Sequence, residues 1–190
     1  MFAPNHHSAM KHAAPVRREL GVRTMFNLLG PLTNPAGAQN QVLGVFSREL
    51  TAKLAHVLSE LGSQHVLVVH GSDGLDEITI SGTSNIAELK DGKISEYTVQ
   101  PSDFGLKIAS LDAIRVTNAD EAKTMLLSVL DNQPGTARDI VLLNAGASIY
   151  VAGLADSLKS GVNKASQVIA SGAAKAKLAQ LISISQRAAA

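Results

Sequence analysis

With 190 residues and a net charge of +1, the chain is long enough to bury a sizeable core and too near neutrality to hold nucleic acid or an anionic membrane through a broad basic field. Its 45% hydrophobic and 17% charged residues are ordinary for a globular protein, so small molecules are the expected partners. The lack of cysteine excludes disulfides, thiol nucleophiles and cysteine-ligated zinc, and apolar runs such as 66–69 and 140–143 are too short to cross a bilayer, so a cytoplasmic protein is expected.

The most chemically loaded stretch comes first. Helix positions three and four apart share a face, which puts His7, Met10, Ala14 and Arg17 on one stripe. An imidazole, a thioether, a small gap and a guanidinium make an odd core, but they suit an aromatic carboxylate lying with its acid end on Arg17. Taken alone, Arg17 reads slightly better as a cation solvating a helix end, and His6 and His12 read as surface or packed side chains. Pro15 predicts a kink near Ala13 and Ala14, or a fresh helix with the proline in its first turn. In Asn27-Leu28-Leu29-Gly30-Pro31-Leu32-Thr33-Asn34-Pro35, the Gly-Pro pair predicts a helix end and a turn. A bare glycine there lets backbone approach a ligand, although on this segment alone a plain connecting loop is the better explanation.

Residues 41–46 read as a buried strand. Ser47 is the expected cap of a helix carrying Leu50, Leu54, Val57, Leu58 and Leu61, which ends at Gly62. A second strand is expected at 65–70, and strand, amphipathic helix, strand is the pattern of a parallel crossover unit. It runs into Gly71-Ser72-Asp73-Gly74-Leu75-Asp76-Glu77-Ile78, where ligands of open α/β sheets bind. If that segment turns, Asp76 and Glu77 converge and can hold magnesium together with water and phosphate oxygens. An isolated Asp-Glu pair is more often a solvated acidic turn.

Strands at 86–89 and 94–99 flank Asp91-Gly92, a hairpin signal. Residues 101–114 read as loop. Asn118 and Glu121 form a capping box before Met125, Leu126, Val129 and Leu130. Residues 137–155 are apolar on nearly every side, as in a buried helix, with a strand at 140–143 as the alternative; Ala145, Gly146 and Ala147 leave room for a close neighbour. Leu158, Val162, Ala165 and Ile169 form one last stripe and Leu178, Leu181 and Ile182 another, both expected to pack. The fold class is therefore α/β: a mixed sheet with a parallel crossover unit and an antiparallel hairpin, flanked by helices. No phosphate-binding glycine motif, nucleophile elbow or metal-spaced histidine pair is present.

Phe2-Ala3-Pro4 with His7, Val16-Arg17-Arg18-Glu19-Leu20-Gly21, the Asn27 to Pro35 string, Asp73-Gly74-Leu75-Asp76-Glu77 and Val141-Leu142-Leu143-Asn144-Ala145 closely resemble the C-terminal part of the anthranilate phosphoribosyltransferase family. The resemblance implies transfer of a phosphoribosyl group from phosphoribosyl pyrophosphate to anthranilate in tryptophan biosynthesis, and an incomplete nucleoside phosphorylase/phosphoribosyltransferase-like domain. Arg17 then matches the anthranilate carboxylate contact, and Ala3, Pro4, His7, Met10, Ala14, Gly30 and Pro31 match the lining of the anthranilate channel. Asp76 and Glu77 match the pair holding Mg2+, and the full-length enzyme is expected to be a homodimer with neither nucleic acid nor membrane as partner.

The family's pyrophosphate loop and helical domain belong upstream of residue 1. The chain is thus expected to be a single truncated catalytic domain, 1–190, inactive alone. Pyrimidine nucleoside phosphorylases share the fold but have no use for the Arg17 contact, and non-catalytic nucleic-acid-binding relatives are the other alternative.

Overall fold

The computed structural model describes residues 15–16, 19–21 and 26–188. Two compact units divide between Gln39 and Asn40. In the first, residues 15–16 and 19–20 are helical; the residues that would decide between a kink and a fresh helix at Pro15 lie outside the described ones. Helix α1 (Phe26–Leu32) carries Pro31 inside it, so it does not stop at Gly30 as the Gly-Pro pair predicts. Proline returns no N–H to the preceding turn, but only one helical residue follows it. The Thr33 hydroxyl donates to the Leu29 carbonyl at 2.9 Å and the Thr33 N–H to Gly30 at 3.2 Å, serving carbonyls that a helix end leaves open. The reversal comes at Asn34, whose side chain accepts the Ala36 N–H at 3.0 Å.

In the second unit, β1 (Asn40–Gly44), β2 (His65–Gly71), β3 (Ser84–Lys90) and β4 (Lys93–Val99) lie side by side in that order. β1 and β2 are parallel and joined by α2 (Glu49–Glu60); the other pairings are antiparallel, as expected for a crossover unit followed by a hairpin. Ser47 does not cap α2. The N-cap is Arg48, already in helical conformation and without a side-chain bond, so the extended geometry a capping serine needs is missing. Leu67 and Val69 of β2 join the main core, while Val66 and Val68 on the other face are equally buried, which is why this strand reads as a continuous apolar run. Asp91 and Gly92 both take positive φ, at 50° and 73°, in the two-residue turn between β3 and β4. His65 pairs with Lys90 and Gly71 with Ser84, so this turn lies at the end of the sheet opposite the residues that follow Gly71.

Residues 101–114 contain two single 3-10 turns, Pro101–Phe104 and Leu111–Ile114. Helices α3 (Ala119–Leu130), α4 (Thr136–Val151), α5 (Leu158–Ala170) and α6 (Ala173–Ala188) complete the unit. Asn118 caps α3 by accepting the Glu121 N–H at 2.9 Å, but the Glu121 carboxylate returns to the Thr117 N–H at 2.8 Å, one residue earlier than a capping box requires. The apolar segment is helix throughout α4, and the strand alternative fails. A Cβ on Gly146 would sit 2.6 Å from the Val162 Cα, and one on Gly161 would strike the Gly146 carbonyl, so α4 and α5 cross where only glycine fits. The α5 stripe is buried as expected. The α6 stripe is not: Leu181 and Ile182 are 63% and 46% exposed, because among the core-packed residues α6 contributes only Ala174 from its first turn. No helix among the described residues is long and apolar enough to cross a membrane.

One polar cluster sits inside this core. The Glu88 carboxylate, 8% exposed, accepts from Tyr150 at 2.7 Å and Tyr97 at 2.8 Å and lies 2.9 Å from His65 Nε2. Lys90 donates to the Tyr150 oxygen at 3.2 Å, so β2, β3 and β4 are all tied to α4. Burial, and then the Glu88 charge, push the Tyr97 hydroxyl far above the usual phenol range, and burial raises Tyr150 as well. A raised folded-state value means the native state keeps a proton that the unfolded state gives up, so this stability is complete below the ordinary phenol value and is lost above it. Urea midpoints should therefore fall above pH ~10, and fall less for Tyr97→Phe; equal slopes for the two proteins would refute this.

Candidate functional site

The carboxyl ends of parallel strands are where an open sheet offers backbone and turns to a ligand. Directly after β2 the chain folds into a tight acidic corner. Its base is Asp73, whose carboxylate accepts from the Leu75 N–H at 3.0 Å and from the hydroxyls of Thr79 and Ser81. Burial alone would raise the Asp73 carboxyl, but the Ser81 and Thr79 hydroxyls and the Leu75 amide hold it below its ordinary value. With three donors on it, Asp73 is committed to holding the turn. Gly71 must be bare here, since a Cβ would lie 2.6 Å from the Asp73 Oδ1.

Three further contacts fix the corner. His70 Nδ1 donates to the Val45 carbonyl at 2.8 Å, joining the exits of β1 and β2. The backbone of Asp76 rests on Gly44, where a Cβ would come within 2.6 Å of the Asp76 carbonyl carbon. Asn144 of α4 accepts the Ile78 N–H and donates to the Ile78 carbonyl, each at 2.9 Å. Ile78, Thr79 and Ile80 are buried, so the chain re-enters the core immediately after Glu77.

Between these anchors Asp76 and Glu77 are exposed, and no donor or cation among the described residues meets either carboxylate. Partial burial of its carboxyl, and then the Asp76 charge beside it, raise Glu77 above its ordinary value. Two adjacent, unneutralised, hard oxygen donors suit a divalent cation. Among the described residues there is no group of three or more metal-type ligands; magnesium takes one or two carboxylates and completes its shell with water or phosphate oxygens, and two adjacent carboxylates are of that donor type. Among the described residues there is a hollow of about 600 Å³ near Thr124 and Arg138, and an apolar one of about 500 Å³ near Leu126 and Val141. Neither includes Asp76 or Glu77.

The sequence profile of the glycosyl transferase family, a/b domain, matches residues 1–175. The chain belongs to that family. Among glycosyl transferases of this kind, it is 67% identical over 187 residues to an anthranilate phosphoribosyltransferase of Nitrosomonas eutropha, a match that covers 98% of this chain and 55% of that one. It also superimposes on the crystal structure of anthranilate phosphoribosyltransferase from Thermus thermophilus with a TM-score of 0.85 and 46% identity, covering 93% of this chain and 52% of that one. A third match, to the Saccharomyces cerevisiae enzyme in complex with PRPP and Mg, has a TM-score of 0.75 and 28% identity and covers 87% and 48% of the two chains. The chain spans about half the length of the relatives it matches.

Of the residues singled out from the sequence, Asp76 and Glu77 are exposed neighbours in the bend that follows β2, where the Asp76 charge adds to the raising of Glu77. Gly30, exposed, and Pro31, half-buried, lie on α1 in the first unit. Ala3, Pro4, His7, Met10, Ala14 and Arg17 lie outside the described residues. Sequence reasoning missed the supports in this glycosyl transferase fold: Gly44, Asp73, Thr79, Ser81 and Asn144. Hydroxyls at 79 and 81, spaced to reach back to an aspartate in a Gly-rich turn, were the one available signal.

Proposed function

We propose that this chain forms the anthranilate-facing and metal-facing part of an anthranilate phosphoribosyltransferase, which joins anthranilate to phosphoribosyl pyrophosphate to give N-(5-phosphoribosyl)anthranilate and pyrophosphate in tryptophan biosynthesis. The observation that carries this reading is the 67% identity over 98% of the chain to an enzyme of that name. The bare acidic corner agrees with it chemically.

In this reading Arg17 receives the anthranilate carboxylate in a charge-assisted contact worth roughly 1.5–3 kcal/mol. Ala3, Pro4, His7, Met10, Ala14, Gly30 and Pro31 line the path of the ring, so that the amine is held toward the ribose carbon it attacks. An aryl amine is already neutral at physiological pH and requires no strong base. Asp76 and Glu77 hold magnesium, which when bound neutralises charge gathering on the departing diphosphate. The whole enzyme is a cytoplasmic homodimer.

The test is a magnesium-dependent assay with both substrates on a polypeptide extended to the length of its relatives. Arg17→Ala should raise the anthranilate KM about ten-fold or more, at ~1.4 kcal/mol per decade, while Asp76→Asn with Glu77→Gln should raise the magnesium requirement. An unchanged KM removes Arg17 from the site, and an unaltered magnesium requirement leaves the acidic pair a solvated turn.

A further inference from the structure

We propose that Asn144 is a positioning residue for the acidic corner: its carboxamide grips both polar backbone atoms of Ile78 and thereby fixes the direction in which Glu77 meets a divalent cation. This rests on the reading of Asp76 and Glu77 as a metal-holding pair.

An asparagine in the middle of α4 needs an explanation. Its neighbours Leu142, Leu143 and Ala147 are buried in the core, and asparagine is a poor residue for a helix interior. Yet three of its four hydrogen-bonding positions are filled: Oδ1 accepts from the Ile78 N–H at 2.9 Å, and Nδ2 donates to the Ile78 carbonyl at 2.9 Å and to the Ile140 carbonyl at 3.0 Å. The Ile78 nitrogen is bonded directly to the carbonyl carbon of Glu77, so holding it removes the backbone freedom that would swing the Glu77 side chain. Asn144 is itself rigidly placed, two residues before Gly146, at which α4 meets α5 too closely for any side chain.

On the upstream side Asp73 holds the Leu75 N–H. Only Asp76 and Glu77 are left between the two grips, with Asp76 seated on Gly44. Two carboxylates that repel each other will rotate apart in a loose loop; here the hydrogen bonds at Leu75 and Ile78 oppose that rotation. Partners that orient a ligand from behind typically change metal affinity about 10–100-fold when removed.

The experiment uses this chain and Mn2+ as a paramagnetic stand-in for magnesium. Free Mn2+ is measured by electron paramagnetic resonance, binding is located by broadening of the amide signals of residues 72–79, and thermal midpoints are recorded alongside. Asn144→Ala should weaken Mn2+ binding about ten-fold or more. Leu142→Ala, a cavity in the same helix that leaves the Asn144 carboxamide in place, should lower the thermal midpoint and leave Mn2+ affinity unchanged. If Asn144→Ala does not fold, Asn144→Ser, too short to reach both Ile78 atoms, is expected to show the same loss. Wild-type affinity in the position-144 variant, or an equal loss in Leu142→Ala, overturns the role of Asn144. Undiminished Mn2+ binding by the Asp76→Asn, Glu77→Gln double variant overturns the metal-holding reading and this inference with it; loss in that variant with full affinity in Asn144→Ala overturns this inference alone.

Discussion

Gly44→Ala is expected to cost the acidic corner its metal affinity while leaving the sheet assembled. The added methyl would lie 2.6 Å from the Asp76 carbonyl carbon and 3.3 Å from its Cα, and nearer still to the carbonyl oxygen. Backbone atoms cannot turn aside as the tip of a lysine can, so either β1 or the corner must move. β1 is registered along its whole length against β2, from Asn40 with His65 to Gly44 with Val69, and the Val45 N–H adds a bond to Val69 at 2.9 Å. Asp76 and Glu77 stand exposed with no such ladder. The corner should therefore yield, at about 1–3 kcal/mol of overpacking, and Mn2+ affinity should drop about 10–100-fold. Urea unfolding and Mn2+ titration measure the two effects separately. A variant that binds Mn2+ as tightly as wild type would show that the position of Asp76 has no bearing on the cation.

The largest loss of stability is expected from Glu88→Ala. Removing that carboxylate takes the acceptor from the half-buried Tyr97 and the buried Tyr150 hydroxyls and the partner from His65, and opens a cavity between the sheet and α4. Each unsatisfied buried group costs about 1–3 kcal/mol, so the sum should reach about 3–5 kcal/mol, comparable to breaking a buried ion pair. Against a total of about 5–15 kcal/mol for a domain, that is enough to unfold a marginal protein at its working temperature. Glu88→Gln, whose amide nitrogen cannot accept from a phenol, should lose part of this. Denaturation midpoints equal to wild type would mean that the two hydroxyls are as well served without Glu88.

These two sites show what the sequence did and did not make legible. The crossover unit and hairpin were readable because each depends on local pattern: apolar runs of strand length, helical spacing between them, and Asp-Gly at a turn that needs two positive φ angles. The close crossing at Gly146 was readable from its small neighbours, and the position of Asp76 and Glu77 just past β2 from the strand pattern that precedes them. Glu88 was not, because its partners lie 9, 23 and 62 residues away in sequence on three other elements and nothing in the local string of β3 announces them. Asn144 reaches 66 residues back, with the same result. The miss at Gly30-Pro31 has another cause. Pro31 has no N–H to return to the Asn27 carbonyl, which weakens the turn before it, but the φ it imposes is itself helical and the helix runs on to Leu32, so the breaker and its consequence came apart. The α6 stripe had the right period and no neighbour, since periodicity says which face is apolar but not what meets it.

The Asp91-Gly92 turn has a practical use. Strands of seven residues rising ~3.4 Å each put it some ~20 Å from the corner that follows Gly71. The chain contains no thiol of its own, so a single cysteine at the exposed Lys93 beside that turn would be the sole attachment point for a fluorophore or a sensor surface. Immobilised there, the protein would keep Asp76 and Glu77 turned toward the solution.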